Sequence, residues 1–143
     1  SGTGFSAYSD LVFTFDLYRA VEDSDNDNDG VPNWKEDING NHYVNELGDD
    51  TDGDGIGNNG DTDDDGDEIL TADEVQPMQY DEDSSMNPFT TKAEAQDYYD
   101  NNAAANEIFV KIEYLSNGNY RLHTTILTDT DNDGTPDYLD PSN

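Results

Sequence analysis

This sequence repeatedly places aspartates at alternate positions with a glycine after them, and this spacing suits a binding site. The stretch DNDNDGVPNWKE begins at Asp25 and places aspartate at positions 1, 3 and 5 and glycine at position 6. Glycine there allows a sharp turn that brings the three carboxylates together, and the carbonyl at position 7 and an acid at position 12 complete an oxygen shell. The spacing therefore predicts a loop that holds a divalent cation.

The same loop is repeated along the chain. Further copies begin at Asp50, Asp63 and Asp129, and a weaker copy begins at Asp37 with asparagine at positions 3 and 5. A solvated acidic linker is the alternative, but it does not account for the placed glycines. The predicted ligands, through side chains or through the carbonyl at position 7, are Asp25, Asp27, Asp29, Val31, Asn33, Glu36, Asp37, Asn39, Asn41, Asp50, Asp52, Asp54, Ile56, Asp61, Asp63, Asp65, Asp67, Thr71, Glu74, Asp129, Asp131, Asp133, Thr135, Asp137 and Asp140.

Two copies lack the glycine at position 6, and two loops share a residue. Glu68 stands at that position in the loop from Asp63, and His42 stands there in the loop from Asp37. Residues other than glycine are disfavoured in a left-handed turn, so we expect a lower affinity or a changed register in the loop from Asp63. The loop from Asp37 is expected to be the weakest of the five sites. Asp61 ends one loop and can begin the next, which would let one carboxylate bridge neighbouring ions.

The composition favours calcium as the cofactor and excludes several classes of partner. Cysteine is absent, and 35 acidic against 5 basic residues give a formal charge of −30. A ligand set of oxygens alone disfavours zinc and copper and favours Ca²⁺ over the smaller Mg²⁺, with about four to five ions for these loops. Nucleic acid is excluded as a partner because phosphate recognition needs basic surface. No apolar run is long enough to span a membrane.

Two elements outside the loops are predicted from local patterns. Residues 1–20 contain alternating apolar side chains, which is the period of a β-strand. Thr91 and Glu94 have the spacing of a capping box, and Asn101 and Asn102 disfavour a longer helix. A short helix is therefore expected after Thr91.

A β-hairpin is predicted for residues 106–127. A three-residue loop at 116–118, with Gly118 in a left-handed conformation, places apolar side chains opposite one another. A two-residue Asn-Gly turn is the alternative, and it would set Ile112 opposite His123. The pairs predicted for the longer loop are Ile112 with Leu122, Tyr114 with Tyr120, and Ile108 with Ile126.

The loops are similar to those of two known families. They resemble EF-hand loops, but Pro32 and Pro136 stand where an EF-hand loop usually pairs with a second loop. Residues 23–74 and 129–141 are more similar to thrombospondin type 3 repeats, in which Asp-rich loops wrap calcium ions with little regular secondary structure. This resemblance implies that the carboxylates of these loops are calcium ligands.

Residues 11–20 resemble the last strand of FKBP-type peptidyl-prolyl isomerases. The matching residues are Leu11, Val12, Phe13 and Leu17. The resemblance implies calcium repeats appended to an extracytoplasmic bacterial isomerase, with Phe13 at an aromatic of the proline pocket; a core aromatic is the alternative for Phe13. The chain lacks a complete catalytic domain, so we predict that it is not an enzyme.

The predicted fold class is mostly irregular: calcium-stabilised loop repeats with a small α+β part of one helix, one β-hairpin and an N-terminal β-strand. The expected divisions are an N-terminal strand at 1–20, Asp-rich repeats at 21–75, helix plus hairpin at 76–128, and a last repeat at 129–143. Millimolar calcium outside the cell suits many weak sites, so we expect an extracytoplasmic location at the cell surface, in the periplasm or in secretion.

The function predicted from the sequence is a calcium-binding structural or docking module. It would order a spacer or an interaction surface for other proteins, in an outer-membrane or surface complex, with any lipid anchor outside this chain. The first alternative is the C-terminal part of an FKBP-type isomerase or a chaperone-like protein. The second is a disordered acidic cation buffer.

Overall fold

The computed structural model of the protein describes residues 24–43 and 46–142. This part of the chain folds around a three-stranded antiparallel sheet in which the last strand along the sequence lies in the middle. The strands are β1 (Val75–Tyr80), β2 (Glu107–Tyr114) and β3 (Tyr120–Leu127). The helices and short 3-10 turns are α1 (Thr71–Glu74), α2 (Lys92–Asn102), Leu47–Asp49, Asn58–Gly60 and Asp137–Leu139.

The hairpin of β2 and β3 has the predicted longer loop. Tyr114 pairs with Tyr120 and Ile112 pairs with Leu122, so these two predictions are confirmed. Gly118 has a φ of 89°, the left-handed conformation that the three-residue loop requires. The two-residue turn is therefore wrong, and the apolar face near the hairpin tip is the expected one.

The third predicted pair of the hairpin is wrong. Ile108 lies opposite Thr125 rather than Ile126, because the register shifts between Phe109 and Lys111. An irregularity of this kind inserts one extra residue into one strand and bends it locally. Nothing in the apolar pattern of residues 106–127 indicates where such a residue is inserted.

Helix α2 begins as predicted. The Thr91 hydroxyl accepts a hydrogen bond from the N–H of Glu94 at 3.2 Å, and the Glu94 carboxylate accepts from the N–H of Thr91 at 3.1 Å. This reciprocal pair is a complete capping box and satisfies donors that the first turn leaves free. The helix ends at Asn102, where the sequence placed its end.

One face of the sheet packs against α2. Phe89, Ala95 and Leu122 are buried together, and Ala95 lies on the inner side of the helix. Partly buried tyrosines surround them, including Tyr98 of α2 and Tyr80 of β1, whose ring centroids are 5.5 Å apart. Aromatic side chains thus provide most of the apolar area on this face.

The other face of the sheet packs against the aspartate loops. Val31, from the first loop, and Tyr138, from the last loop, are buried with Val75 and Leu127 of the sheet. The hydroxyl of Thr125 donates to the carbonyl of Gly30 at 2.7 Å. Since side chains alternate across a strand, Thr125 and Leu127 point to the loops while Leu122 points to α2.

The predicted fold class, mostly irregular calcium-stabilised loop repeats, is wrong. The described chain is a small α+β domain with a three-stranded antiparallel sheet, and the loops contribute side chains to its core. The sequence did not reveal β1, because the apolar and polar residues of Val-Gln-Pro-Met-Gln-Tyr do not alternate strictly and the run contains Pro77. Proline is tolerated there because β1 is an edge strand of the sheet.

The N-terminal strand predicted for residues 1–20 lies outside the described residues. Within residues 24–43 and 46–142, no helix has both the length and the apolar character needed to cross a membrane.

Candidate cation-binding loops

In every aspartate loop the carboxylate at position 1 accepts a hydrogen bond from a backbone N–H of the same loop. In four loops the carboxylate at position 1 accepts from the backbone N–H at position 6, and in the loop from Asp25 it accepts from the N–H of Asn28 at 2.8 Å. Such contacts bend the chain around the carboxylate and fix its orientation. The four contacts are Asp37 to His42 at 2.8 Å, Asp50 to Gly55 at 3.0 Å, Asp63 to Glu68 at 3.2 Å and Asp129 to Gly134 at 3.1 Å.

The side chain at position 5 makes the same contact in all five loops. Its oxygen accepts from the N–H at position 7, which tightens the second half of the turn. The contacts are Asp29 to Val31 at 2.7 Å, Asn41 to Tyr43 at 2.8 Å, Asp54 to Ile56 at 2.8 Å, Asp67 to Ile69 at 2.7 Å and Asp133 to Thr135 at 2.7 Å. The weaker copy from Asp37 therefore has the same conformation as the others.

The carboxylates at positions 1, 3 and 5 converge in four loops. In each, one oxygen from every residue lies within 4.8 Å of the others. Oxygens bound to one Ca²⁺ at about 2.3–2.6 Å are separated by no more than about twice that distance, so the spacing fits a shared ion. The four groups are Asp25, Asp27 and Asp29; Asp50, Asp52 and Asp54; Asp63, Asp65 and Asp67; and Asp129, Asp131 and Asp133.

Positive backbone angles recur at position 6. Gly30, Gly55 and Gly134 each have a φ of 99°, and Glu68 and His42 adopt 79° and 69° at the same position. The loop from Asp63 therefore keeps the turn without its glycine, and its register is unchanged at Glu68. The expected loss of affinity at these two loops stays a prediction.

The side chains at position 9, three of which are predicted ligands, hold their own loops closed. In each of four loops this side chain accepts a hydrogen bond from the backbone N–H at position 2, and all four residues are buried. The contacts are Asn33 with Asn26 at 3.0 Å, Asn58 with Thr51 at 3.0 Å, Thr71 with Asp64 at 3.1 Å and Asp137 with Thr130 at 2.6 Å. The sequence did not indicate this role, and ligation by Asn33, Thr71 and Asp137 stays a prediction.

The predicted ligands at positions 7 and 12 lie in different surroundings. Val31 is buried in the apolar cluster, whereas Ile56 is half exposed and Thr135 is partly buried. At position 12, Glu36, Glu74 and Asp140 are buried, and Asp61 is partly exposed. Asp61 also accepts from the N–H of Asp63 at 3.1 Å, so it contacts the start of the next loop. Its role as a bridge between two ions stays a prediction.

The weaker loop has a different polar network. The side-chain amide of Asn39 donates to the Glu46 carboxylate at 3.0 Å, and the amide of Asn41 donates to the same oxygen. Asp49 is fully buried and accepts from the N–H of Asn39 at 3.2 Å. Both Glu46 and Asp49 were missed from the sequence, because positions 10 and 13 of this loop are not ligand positions in the template.

One acidic cluster joins two loops. Oxygens of Asp29 and Glu36, from the first loop, lie within 4.8 Å of an oxygen of Asp64. Asp64 was missed from the sequence, because position 2 of the loop from Asp63 is not a ligand position in the template. The run Asp63-Asp64-Asp65 was the only signal, and it does not distinguish the middle residue.

Burial strongly perturbs the acids of this inter-loop cluster. In the ion-free chain, burial away from water, followed by repulsion from neighbouring carboxylates, raises the pKa of Glu36 to about 10 and that of Asp64 to about 9. Burial also raises the pKa of Asp29 to about 7. A nearby cation favours the ionised form of a carboxylate and would oppose these shifts.

Comparison with known proteins identifies one family. A family model described as BamM C-terminal matches residues 26–108, which include four of the five loops, β1 and α2. Neither the curated proteins nor the solved structures contain a match to this chain.

The predicted recognition as thrombospondin type 3-like repeats appended to an FKBP-type isomerase is wrong, because the matching family is a different one. The thrombospondin and isomerase keywords are wrong for the same reason. The residues that carried the isomerase resemblance, 11–20, lie outside the described residues. The family description names no calcium, so the case for a cation rests on the loops alone.

Proposed function

Since the chain belongs to the BamM C-terminal family, we propose that it is a cation-binding docking domain of an extracytoplasmic protein complex at the outer membrane. BamM is part of a protein complex at the outer membrane, and its C-terminal domain is a component of a complex rather than an enzyme. Protein partners and an extracytoplasmic location are therefore the coarse assignment for this family. The ion and the contact surface are the finer part of the proposal.

The observation that carries the proposal is the common geometry of the loops. Four loops bring three carboxylates within 4.8 Å of one another, and backbone N–H groups already orient those carboxylates. No basic side chain of the described residues forms an ion pair with these carboxylates, because the ion pairs there involve only His42, Arg121 and His123. A divalent cation would remove that repulsion.

Calcium is the cation that best fits these groups. The proposed ligands are carboxylate and carbonyl oxygens, the type of ligand that Ca²⁺ prefers in a flexible shell of six to eight. Mg²⁺ demands a strict octahedron and retains its water, so it would bind more weakly. Calcium at millimolar concentration outside the cell would fill even weak sites of this type.

Docking is supported by apolar side chains on the surface of the first two loops. Trp34, Tyr43 and Leu47 expose 50%, 71% and 73% of their surface. Large aromatic and aliphatic side chains in such numbers are typical of protein-contact surfaces. Ions bound in the same loops would fix the backbone that presents these side chains.

Counting bound ions tests the cation part of the proposal. Native mass spectrometry of the 143-residue chain in CaCl₂ is expected to show a saturating stoichiometry of about four to five ions. A matched sample in MgCl₂ is the control, and it should retain fewer ions. A count that rises continuously with calcium concentration, or that is equal for both metals, would contradict defined sites.

Affinity purification of the parent protein tests the docking part. Removal of residues 24–142 is expected to reduce its recovery with the outer-membrane complex, and chelation of calcium is expected to reduce the recovery of the intact protein. Equal recovery of the intact and truncated proteins would contradict a docking role while leaving the ion count unaffected.

A further inference from the structure

We propose that Asp29, Glu36 and Asp64 form a buried divalent-cation site that joins the loop from Asp25 to the loop from Asp63. The inference rests on the proposed function only in taking calcium as the ion. It adds a ligand, Asp64, that the loop pattern does not contain. It also lets one ion hold two loops together, because the ligands of that ion come from both loops.

The geometry of the cluster is compatible with a shared cation. One oxygen from each of Asp29, Glu36 and Asp64 lies within 4.8 Å of the other two, which is the span of oxygens around one Ca²⁺. Both oxygens of Glu36 and both of Asp64 lack any hydrogen-bond partner among the described residues. The acids are therefore spaced for an ion between them.

Burial makes this cluster different from the exposed loop sites. Glu36, Asp64 and Asp29 expose 0%, 1% and 3% of their surface. Carboxylates that are removed from water without a partner are strongly unfavourable, so such groups in proteins are paired or bind metals. No Lys, Arg or His in the described part of the chain forms an ion pair with any of the three.

A third loop contributes a buried polar group beside the cluster. The hydroxyl of Tyr138 is buried and has no hydrogen-bond partner in the described residues. Burial, followed by the charges of Asp64, Glu36 and Asp29, raises the pKa of Tyr138. This hydroxyl therefore stays protonated and neutral, and can serve as a donor to a carboxylate or to a water on the ion. Buried tyrosines usually find such a partner.

The cluster lies beside the apolar residues that pack the loops on the sheet, so an ion bound there would affect this packing. Asp29 and Glu36 flank Val31, which packs with Val75, Leu127 and Tyr138 against the sheet. An ion held by these carboxylates and by Asp64 would fasten two loops at the edge of that apolar cluster. The sites from Asp50 and Asp129 are more exposed, since the carboxylates at positions 3 and 5 of both loops lie at the surface.

Ion counting on matched variants tests the site. Asp64→Asn keeps the size of the side chain and its backbone hydrogen bond to Thr71, but removes the charge. Asp73→Asn, at an exposed acid on α1, is the matched control, and Asp131→Asn, in the last loop, is a positive control for loss of a different ion. Native mass spectrometry in CaCl₂ is expected to show one fewer ion for Asp64→Asn than for Asp73→Asn.

Equal counts for Asp64→Asn and Asp73→Asn, with one ion lost in Asp131→Asn, would overturn the inter-loop site and leave the proposed function intact. If the wild-type chain binds no calcium at all, the proposed function fails as well. Crystals of the wild-type chain soaked in TbCl₃ give a test that does not depend on variant folding. An anomalous peak between Asp29, Glu36 and Asp64 supports the site, and peaks only in the exposed loops overturn it.

Discussion

Glu68 adopts a backbone conformation that glycine adopts at lower cost. Its φ of 79° lies in the left-handed region, yet its N–H still donates to Asp63 as glycine does at this position in the loop from Asp50. A side chain in this region costs about 1–2 kcal/mol, partly offset by the greater freedom of glycine in the unfolded chain. The loop therefore stores strain at position 6 that the other full copies lack.

Glu68→Gly is expected to raise the free energy of unfolding by up to about 1 kcal/mol, because it removes this strain. Urea denaturation followed by circular dichroism measures the change. Glu68→Ala is the matched control: it removes the same carboxylate but retains a Cβ, so it should stay near the wild type. If both variants are stabilised equally, removal of charge rather than relief of strain is the cause.

Glu107 is an acid that the fold uses without a cation. Its carboxylate accepts from the hydroxyls of Thr124 at 2.5 Å and Tyr80 at 3.0 Å, and from the N–H of Ala104 at 3.1 Å. Burial by itself would raise its pKa, but these hydrogen bonds outweigh burial and lower the pKa below its ordinary value of 4.5. The ionised form is therefore the one that the folded state prefers.

Glu107→Gln is expected to lower the free energy of unfolding by about 1–3 kcal/mol at neutral pH. Because the folded pKa is depressed, this contribution is fully present above pH 4.5 and is lost as the pH falls through the folded pKa. The difference between wild type and variant, measured by urea titrations at several pH values, should shrink in acid. A difference that stays constant with pH would contradict the ionised hydrogen-bonded state.

Helix α2 and the hairpin show which elements the sequence could predict. Thr91 and Glu94 are three residues apart, and Gly118 lies within the turn that it forms, so both signals are local and were read correctly. Strand β1 was missed because its apolar and polar side chains do not alternate strictly and its partner, β3, lies about forty to fifty residues away. The irregularity near Phe109 was missed because it depends on the pairing itself.

Thr91→Ala should destabilise the domain by about 1 kcal/mol, since it removes one half of the capping box while α2 packs on the sheet. Thermal unfolding measures the effect. Thr91→Ser is the control, because serine retains the hydroxyl that accepts from Glu94, and it should recover most of the loss. If serine is as destabilising as alanine, the methyl group rather than the cap is responsible.

At the scale of the whole molecule, the loop motifs were predictable and their arrangement was not. Positions 1, 3 and 5 are read directly from the sequence, and four such groups do converge. The contact of Asp64 with Glu36 joins residues 28 positions apart, so no local template contains it. No local pattern predicts the packing of Val31 with Tyr138 either, and this packing places the first and last loops on one face of the sheet.

The charge of the molecule makes bound cations consequential for the entire domain. A formal charge of −30 repels itself, and about five Ca²⁺ ions would reduce it to about −20. Simple salt also reduces this repulsion, but only by screening charges that are exposed. The buried carboxylates of Glu36 and Asp64 are little affected by screening, so specific binding and ionic strength should have separable effects.

Calcium is therefore expected to raise the melting temperature more than NaCl of equal ionic strength. Each independent site that is filled at a concentration about 100-fold above its dissociation constant adds about 2.7 kcal/mol, which corresponds to roughly 10 °C or more in a domain of this size. Differential scanning calorimetry in CaCl₂, MgCl₂ and matched NaCl measures the three shifts, with the largest expected for calcium. If matched NaCl gives the same shift as calcium, screening of the acidic surface accounts for the effect and specific ion binding does not.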